Sequence, residues 1–330
     1  MYPITVVRAC VRLLILLPLL VSPLGTIAQT PDKTLHIGIL SSGVLENRSP
    51  LDAALVEGLR EQGYIEGKNL VIERRYSSSK LRDNASELAG MKLDAVLTTC
   101  TPSTRLMKQA TSSTPIVMVA VSDPVNQGVI LSLAKPGGNV TGLSSQAEEL
   151  LAKRLELISS VMPKSTIIAV LANVHNPVHD LGWQRLESAA RSMNLSLVRI
   201  DLGSSSEVQQ AMDAALQAHA GALLVLPDDP LMFNARPQLV ALAAKYHLPD
   251  FYWAREFVES GGLMSYGENL RASYRAGAGY IGKIKNGAKP DELPVQQPTR
   301  FELVINLKTA KELGLAIPQS VLVRADDVIQ

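Results

Sequence analysis

Cysteine is nearly absent from this 330-residue chain, which contains only Cys10 and Cys100. Cys10 lies in an N-terminal segment that we expect to be removed, so no intramolecular disulfide is expected and the apolar core must stabilise the fold. Aromatic residues make up only 4% of the chain, so Leu, Val, Ile and Ala must build that core. The formal net charge of +1 shows no excess of either sign, which argues against a nucleic-acid partner.

Long apolar runs are also scarce. One lies near the N-terminus, at residues 13–21, and no comparable run follows. Two arginines precede this run and small residues around Ala28 follow it. This order is typical of a secretory signal peptide, which predicts that residues 1–28 are cleaved off and that the soluble mature protein lies in the periplasm. A membrane anchor is the alternative, but the run is too short to span a bilayer and contains Pro18.

Short apolar runs alternate with segments of helical periodicity through the rest of the chain. We predict strands at residues 35–40, 70–73, 94–98 and 115–121 in a first series, and at 167–171, 195–200 and 222–226 in a second. The helices include residues 51–62, with Ser49 as N-cap and Pro50 as first helical residue, and a single helix over 230–246. This alternation is typical of parallel sheets covered on both faces, so its two series predict an α/β protein with two doubly wound lobes.

Turn-forming residues concentrate in three stretches where the chain can pass between the lobes. These stretches are residues 135–144, 261–267 and 293–300. They predict a hinge with three crossings. Lobe 1 would then comprise residues 29–140 and 267–294, and lobe 2 residues 141–266 and 295–330.

Polar side chains follow most of the predicted strands. Ligands of parallel sheets bind beyond the carboxyl ends of the strands, so these side chains are candidate ligand-binding groups. Each could instead cap a helix or close a turn. Among the carboxylates, Asp123, Asp228 or Asp229 could hold an ammonium group, and Tyr266 could stack on a ligand ring or pack in the hinge. The strand-exit candidates are Ser41, Ser42, Thr99, Thr101, Ser122, Asp123, Asn173 and Asp228.

A dinucleotide-binding motif is matched letter for letter by Gly277, Gly279 and Gly282. The motif requires a strand, a turn and then a helix, whereas these glycines lie inside one predicted helix without a preceding strand. Small residues that let the helix pack closely explain the pattern better. We therefore predict no cofactor.

One catalytic motif and one metal-binding motif are matched only in part. A hydrolase nucleophile elbow around Ser265 would need glycine where Leu263 stands. His175 and His179 are four residues apart, but Pro177 separates them and no carboxylate pattern accompanies them. We predict no catalytic residue and no metal site.

Several motifs in order along the chain resemble the ABC-transporter substrate-binding family that includes tryptophan- and tyrosine-binding proteins. The resemblance implies a type I periplasmic binding fold that encloses a small ligand between two lobes. It also implies a monomer that delivers the ligand to an inner-membrane permease and its ATPase. The matching segments are EGLREQGYIEGKNLVIE (57–73), VSDPV (121–125), SLAKPGGNVTGLS (132–144), KRLELI (153–158), GGLMSYG (261–267) and QPTRFELVINLKTAKELGLAIPQSVLVRADDVI (297–329).

The resemblance implies that the strand-exit residues line the ligand cleft, and it adds Ser265 to them. Cys100 is a departure, because many relatives carry glycine at that place. The ligand is therefore expected to be amino acid-like, with an aromatic amino acid as one candidate. Two alternatives stay open, namely a diffusible sensing subunit of a receptor and an exported α/β hydrolase.

Overall fold

The computed structural model describes residues 34–43, 45–77, 79–162 and 166–330. The predicted signal peptide lies outside these residues. Within them, two α/β lobes are present, as the alternating pattern predicts. None of the described helices is long and apolar enough to cross a membrane.

Lobe 1 is built on a five-stranded parallel sheet with strand order β2-β1-β3-β4-β5. Helices α1 (Leu45–Glu61) and α10 (Leu270–Lys285) cover one face, and α2 (Leu81–Gly90) and α3 (Cys100–Ala110) cover the other. The strands are β1 (Leu35–Ser41), β2 (Leu70–Tyr76), β3 (Ala95–Thr99), β4 (Ile116–Ser122) and β5 (Val140–Ser145).

Lobe 2 is built on a seven-stranded sheet with strand order β12-β11-β10-β9-β8-β6-β7. Its pairs are parallel except for β10 and β11, which run antiparallel. The strands are β6 (Ile167–Asn173), β7 (Ser196–Leu202), β8 (Ala220–Val225), β9 (Asp250–Tyr252), β10 (Met264–Gly267), β11 (Glu302–Asn306) and β12 (Asp327–Ile329). The helices are α4 (Leu151–Val161), α5 (Pro177–Met193), α6 (Val208–Gln217), α7 (Pro230–Asn234), α8 (Arg236–Lys245), α9 (Arg255–Glu259), α11 (Leu307–Glu312) and α12 (Gln319–Leu322).

The core is aliphatic, in accordance with the shortage of aromatic residues. The predicted apolar face of α1, formed by Leu51, Leu55 and Leu59, is fully buried, and burial of each such side chain contributes about 1.5–3 kcal/mol. Gly277 in α10 confirms the packing explanation of the glycine pattern, since an added Cβ would lie 3.1 Å from Leu97 in β3. One core cluster contains side chains of both lobes, so the lobes are in contact.

Two predicted helix boundaries are wrong. Helix α1 begins at Leu45, so Ser49 is not its N-cap and Pro50 lies inside it. Pro50 is the sixth residue of this helix and removes the one intrahelical hydrogen bond that an N–H at this position would donate to the carbonyl of Glu46. The single helix predicted over 230–246 is in fact α7 and α8, which meet at Ala235. Pro237 has no N–H to donate, and the carbonyl of Phe233 accepts from Arg236 at 3.2 Å instead.

The first crossing lies later than predicted. The stretch 135–144 was interpreted as a connection, yet β5 pairs with β4 in the first sheet. The chain therefore leaves that sheet after Ser145, beyond the predicted end of lobe 1 at residue 140. The second crossing follows β10, and the third includes Gln296, which forms a bridge with Leu143. The exact lobe boundaries stay a prediction.

Candidate functional site: the cleft between the lobes

The carboxyl ends of β4 and β8 meet where the two lobes touch. The Ser122 hydroxyl, at the end of β4, donates a hydrogen bond to the carboxylate of Asp228, which follows β8. Nearby, Asn234 Nδ2 donates to the backbone carbonyl of Ser42 at 3.2 Å. The lobes are thus joined directly by polar groups from their facing edges.

A narrow cavity of about 30 Å³ lies beside these contacts. A cavity of this size holds about one water molecule. Its wall is both apolar and acidic, so it could accommodate one end of an amphipathic ligand after a small separation of the lobes. The lining residues are Cys100, Ala120, Asp228, Asp229, Pro230, Phe233, Trp253 and Leu270.

The lobe 1 edge brings several predicted site residues together. Thr99 Oγ1 donates to Ser41 Oγ at 2.9 Å, and Ser41 Oγ also accepts from the backbone N–H of Gly43 at 3.1 Å. Ser42 Oγ lies 3.4 Å from Cys100 Sγ. These side chains are buried, whereas Thr101, in the first turn of α3, is half-buried. The hydroxyls therefore form a connected group at the predicted sheet edge.

Four non-glycine residues on the facing edges have positive φ angles. They are Cys100 at 66°, Ala120 at 54°, Asp123 at 42° and Asp228 at 56°. A left-handed backbone costs a non-glycine residue roughly 1–2 kcal/mol, and such strain concentrates at functional sites. The angle at Cys100 is one that glycine adopts readily, which agrees with the glycine that the sequence resemblance implies there.

Asp123 closes the turn that follows β4. Its carboxylate accepts from Asn126 Nδ2 at 2.7 Å and from the Asn126 backbone N–H at 3.3 Å. This is the capping role that was the alternative interpretation of the residue. A contact between Asp123 and a ligand stays a prediction.

On lobe 2, Asn173 is held by neighbouring loops. Its Nδ2 donates to Asp229 at 2.9 Å, and its backbone N–H donates to His179 Nδ1 at 2.8 Å. The other ring nitrogen of His179 donates to the carbonyl of Pro227 at 3.0 Å. Burial lowers the pKa of His179 and keeps the ring neutral. Both ring nitrogens are therefore engaged, and His175 and His179 do not form a metal site.

Ser265 and Tyr266 lie in β10, and neither lines the narrow cavity. The Ser265 hydroxyl is buried and has no hydrogen-bond partner within the described part of the chain. The Tyr266 ring lies 6.3 Å from that of Phe301, and the Tyr266 carbonyl accepts from Arg154 Nε at 2.8 Å. Both residues thus belong to the beginning of the second crossing.

Sequence reasoning missed a buried charged group behind the cleft. It comprises Glu148, Arg154 and Glu268, which lie close to the predicted site residue Asp228. Burial, together with the nearby Asp228 carboxylate, raises the pKa of Glu148 and of Glu268 to about 8. Burial also raises the pKa of Asp228 and lowers that of Arg154 to about 10. The cleft thus lies above three carboxyl groups and a single buried guanidinium.

The strand-exit rule would have found Glu268, because it directly follows β10. Glu148 follows β5, which was interpreted as a connection and therefore suggested no site. Arg154 lies in α4, and its burial becomes evident only when its guanidinium is seen to donate to carbonyls of both Ala147 and Tyr266. No local pattern marks it.

Two doubly wound lobes that meet at their strand exits define the type I periplasmic binding fold. The model of the family "ABC transporter substrate binding protein" matches residues 47–329. The chain belongs to this family.

Three relatives agree with this assignment. A tyrosine-binding protein from Clostridioides difficile is 30% identical over 290 residues, which cover 86% of this chain and 82% of that protein. The crystal structure of an ABC domain from Streptococcus pneumonia in complex with L-Trp has 28% identity and a TM-score of 0.80, and the match covers 90% of this chain and 100% of that chain. A ligand-free, open substrate-binding protein from Clostridium difficile has 27% identity and a TM-score of 0.63, over 90% of this chain and 99% of that chain.

The last two structures are equally distant in sequence but not in shape. The present structure superposes better on the L-Trp complex than on the ligand-free, open protein. The direct bond between Ser122 and Asp228 across the lobes agrees with a closed arrangement.

Proposed function

We propose that this protein is the periplasmic solute-binding component of an ABC importer and that it traps an aromatic amino acid between its lobes. It then delivers the ligand, as a monomer, to an inner-membrane permease and its ATPase. The observation that carries the proposal is the meeting of Ser122 and Asp228 between the lobes, beside the rings of Phe233 and Trp253. The L-Trp and tyrosine specificities of two relatives support the same ligand class.

The cleft offers complementary partners for each part of such a ligand. The carboxylate of Asp228 suits the ammonium group, and Phe233 and Trp253 suit the aromatic ring. The hydroxyls of Ser42 and Thr101, next to the beginning of α3, suit the ligand carboxylate, because a helix N-terminus favours an anion. No step of this scheme requires a nucleophile, an acid–base pair or a metal.

Ligand entry requires the lobes to separate, because the cavity of about 30 Å³ is far too small for an amino acid. The ligand then replaces the bond between Ser122 and Asp228 with its own bonds to both edges. It touches both lobes only when they are closed, so its binding free energy favours closure. The permease would recognise the closed lobes.

Isothermal titration calorimetry of the chain without residues 1–28 tests this proposal. We expect L-tryptophan, L-tyrosine or L-phenylalanine to bind and L-leucine to bind more weakly. Indole-3-propionate, which keeps the indole ring and carboxylate of L-tryptophan but lacks the ammonium group, should not bind. Equal affinity for L-tryptophan and indole-3-propionate, or no binding of any aromatic amino acid, would contradict the proposal.

A further inference from the structure

A second cavity, of about 790 Å³, lies at the hinge. It is separate from the cleft, and none of its lining residues lines the narrow cavity described above. Its wall includes Ser144 in β5, just before the first crossing, Glu268 at the second crossing and residues 296–301 at the third. We call it the hinge cavity. Its volume is in the range of sites that hold small organic molecules.

Some hydrogen-bond acceptors among the residues that line the hinge cavity, or lie next to it, accept no hydrogen bond from the described residues. Ser144 Oγ, Glu268 Oε1 and Glu302 Oε1 are buried oxygens with no hydrogen-bond partner among the residues that the structure describes. Ser144 is 1% exposed and Glu268 is 5% exposed, so water reaches neither side chain freely. A buried polar atom left without a partner is unfavourable, and such atoms in a native structure call for an occupant.

The remaining oxygens of these carboxylates are already used by the fold. Glu268 Oε2 accepts from the Ser273 hydroxyl at 3.3 Å, and Glu302 Oε2 accepts from Arg255 at 3.1 Å. A third carboxylate, that of Asp326, lies in the same wall. The fold thus holds the carboxylates in place and leaves one oxygen of Glu268 and one of Glu302 for another donor.

The wall contains both acidic and apolar residues. Arg300 is the one basic residue among the described residues that line the hinge cavity, and it is exposed. Leu143, Ala272 and Phe301 supply the apolar surface. An occupant with several N–H donors, a positive charge and a short apolar stem would suit both kinds of residue, and a primary ammonium on an alkyl chain has these properties.

We propose that the hinge cavity is a second binding site, which takes a small organic cation with a primary ammonium group. The ammonium group contacts Ser144 and Glu268, and the alkyl chain lies along Ala272 and Phe301. The site shares no lining residue with the cleft, so its test requires no amino acid.

The ionisation of Glu268 agrees with a cationic occupant. Burial and the Asp228 carboxylate raise the pKa of this carboxyl, hydrogen bonds and Arg154 oppose them, and the pKa is about 8 as a result. A bound cation favours the ionised carboxylate. Binding of the cation should therefore strengthen as the pH rises from 7 to 8.5.

Isothermal titration calorimetry at pH 8.5 with 1-aminobutane and 1,4-diaminobutane tests the site, with succinate as the anionic comparison. We expect both amines to bind the wild-type chain and succinate not to bind. Glu268→Gln keeps the shape of the side chain and removes its charge, and it should weaken amine binding about tenfold or more. Ala272→Leu places a larger side chain in the hinge cavity from an exposed helical position and should abolish binding.

Two matched variants separate the site from general effects. Glu256→Gln alters another buried carboxyl, whose Oε1 lies 3.8 Å from Arg271 Nε and which does not line the hinge cavity. Ala241→Leu introduces leucine at an exposed helical alanine in α8. Both should bind the amines as the wild type does, and circular dichroism should show all four variants folded. The proposal is overturned if neither amine binds, if succinate binds instead, or if Ala272→Leu binds the amines unchanged.

Discussion

The inter-lobe cleft and the hinge cavity differ in how their polar groups are satisfied. In the cleft, Ser122 bonds Asp228 and Ser41 bonds Thr99, and the remaining cavity is about 30 Å³. The hinge cavity is about 790 Å³, and Ser144 and Glu268 each leave a buried oxygen without a partner. A ligand of the cleft must therefore exchange existing bonds, whereas an occupant of the hinge cavity supplies missing ones.

We therefore expect the two regions to respond to a ligand in different ways. Exchange of bonds across the lobes couples cleft binding to opening and closing of the hinge. An occupant that supplies the missing hydrogen-bond donors in the hinge cavity does not require the hinge to open or close. Four measurements test this difference between the two regions, and the change that we expect to be greatest comes first.

Asp228→Asn should produce the largest change, which is loss of affinity for the aromatic amino acid of the cleft. A charge-assisted hydrogen bond to an ammonium contributes about 1.5–3 kcal/mol, so we expect affinity to fall about 10- to 100-fold in calorimetry. Asp291→Asn, at an exposed position outside both cavities, is the matched control and should bind normally. Unchanged affinity in Asp228→Asn would remove the ammonium contact from the proposed scheme.

The second prediction concerns the pH dependence of stability through Glu268. Its native pKa of about 8 exceeds that of an unfolded glutamate, so between about pH 4.5 and 8 the native state holds a proton that the unfolded state releases. Stability therefore falls as pH rises through this window, by up to about 1.4 kcal/mol per pH unit for this group. Urea denaturation at pH 5.5, 6.5 and 7.5 measures the slope.

Glu268→Gln should flatten that slope, because glutamine does not titrate. Glu148 lies behind the cleft with a pKa also raised to about 8 and should supply the slope that remains. Glu312→Gln, at an exposed position in α11, should leave the slope as it is. A Glu268→Gln slope equal to that of the wild type would mean that the Glu268 carboxyl is ionised throughout.

The third prediction links the two regions. An occupant of the hinge cavity touches residues at or next to all three crossings in the closed arrangement, so it should favour closure. We expect 1,4-diaminobutane at saturation to raise the affinity for L-tryptophan about fivefold, at the low end of typical coupling between sites. Calorimetry with and without the diamine measures this effect, and Ala272→Leu should abolish it. Lower affinity in the presence of the diamine would mean competition for a single site.

The smallest effect is expected from Cys100→Gly. Glycine relieves the left-handed backbone at φ 66° and removes a side chain from the cleft wall. We expect thermal stability to change by less than about 1 kcal/mol, because relief of strain offsets the loss of buried contacts. The added space should favour the larger indole, so the ratio of L-tryptophan to L-tyrosine affinity should rise about twofold, or about 0.4 kcal/mol. Cys100→Ser, which keeps the size of the side chain, should leave that ratio unchanged.

The sequence by itself determined the alternation of strands and helices and hence the two doubly wound lobes, because periodicity and apolar runs are local properties. It also placed Ser41, Thr99 and Ser122 at the edge of one predicted sheet and Asp228 at the edge of the other, since parallel strands of a sheet bring their carboxyl ends together. It did not identify β5, whose residues 140–145 contain two serines, a threonine and a glycine and follow a turn-rich stretch. Only pairing with β4 makes this segment a strand.

Which strand-exit side chains contact one another depends on the tertiary structure. Ser122 and Asp228 are 106 residues apart and bond only because the two lobes close on each other. Arg154 is buried in a helix, Glu148 follows the unrecognised β5, and the hinge cavity is formed by residues at or next to three crossings that are distant along the chain. Burial, which sets the pKa of Glu268 and leaves Ser144 without a partner, depends on neighbours that no local sequence pattern specifies.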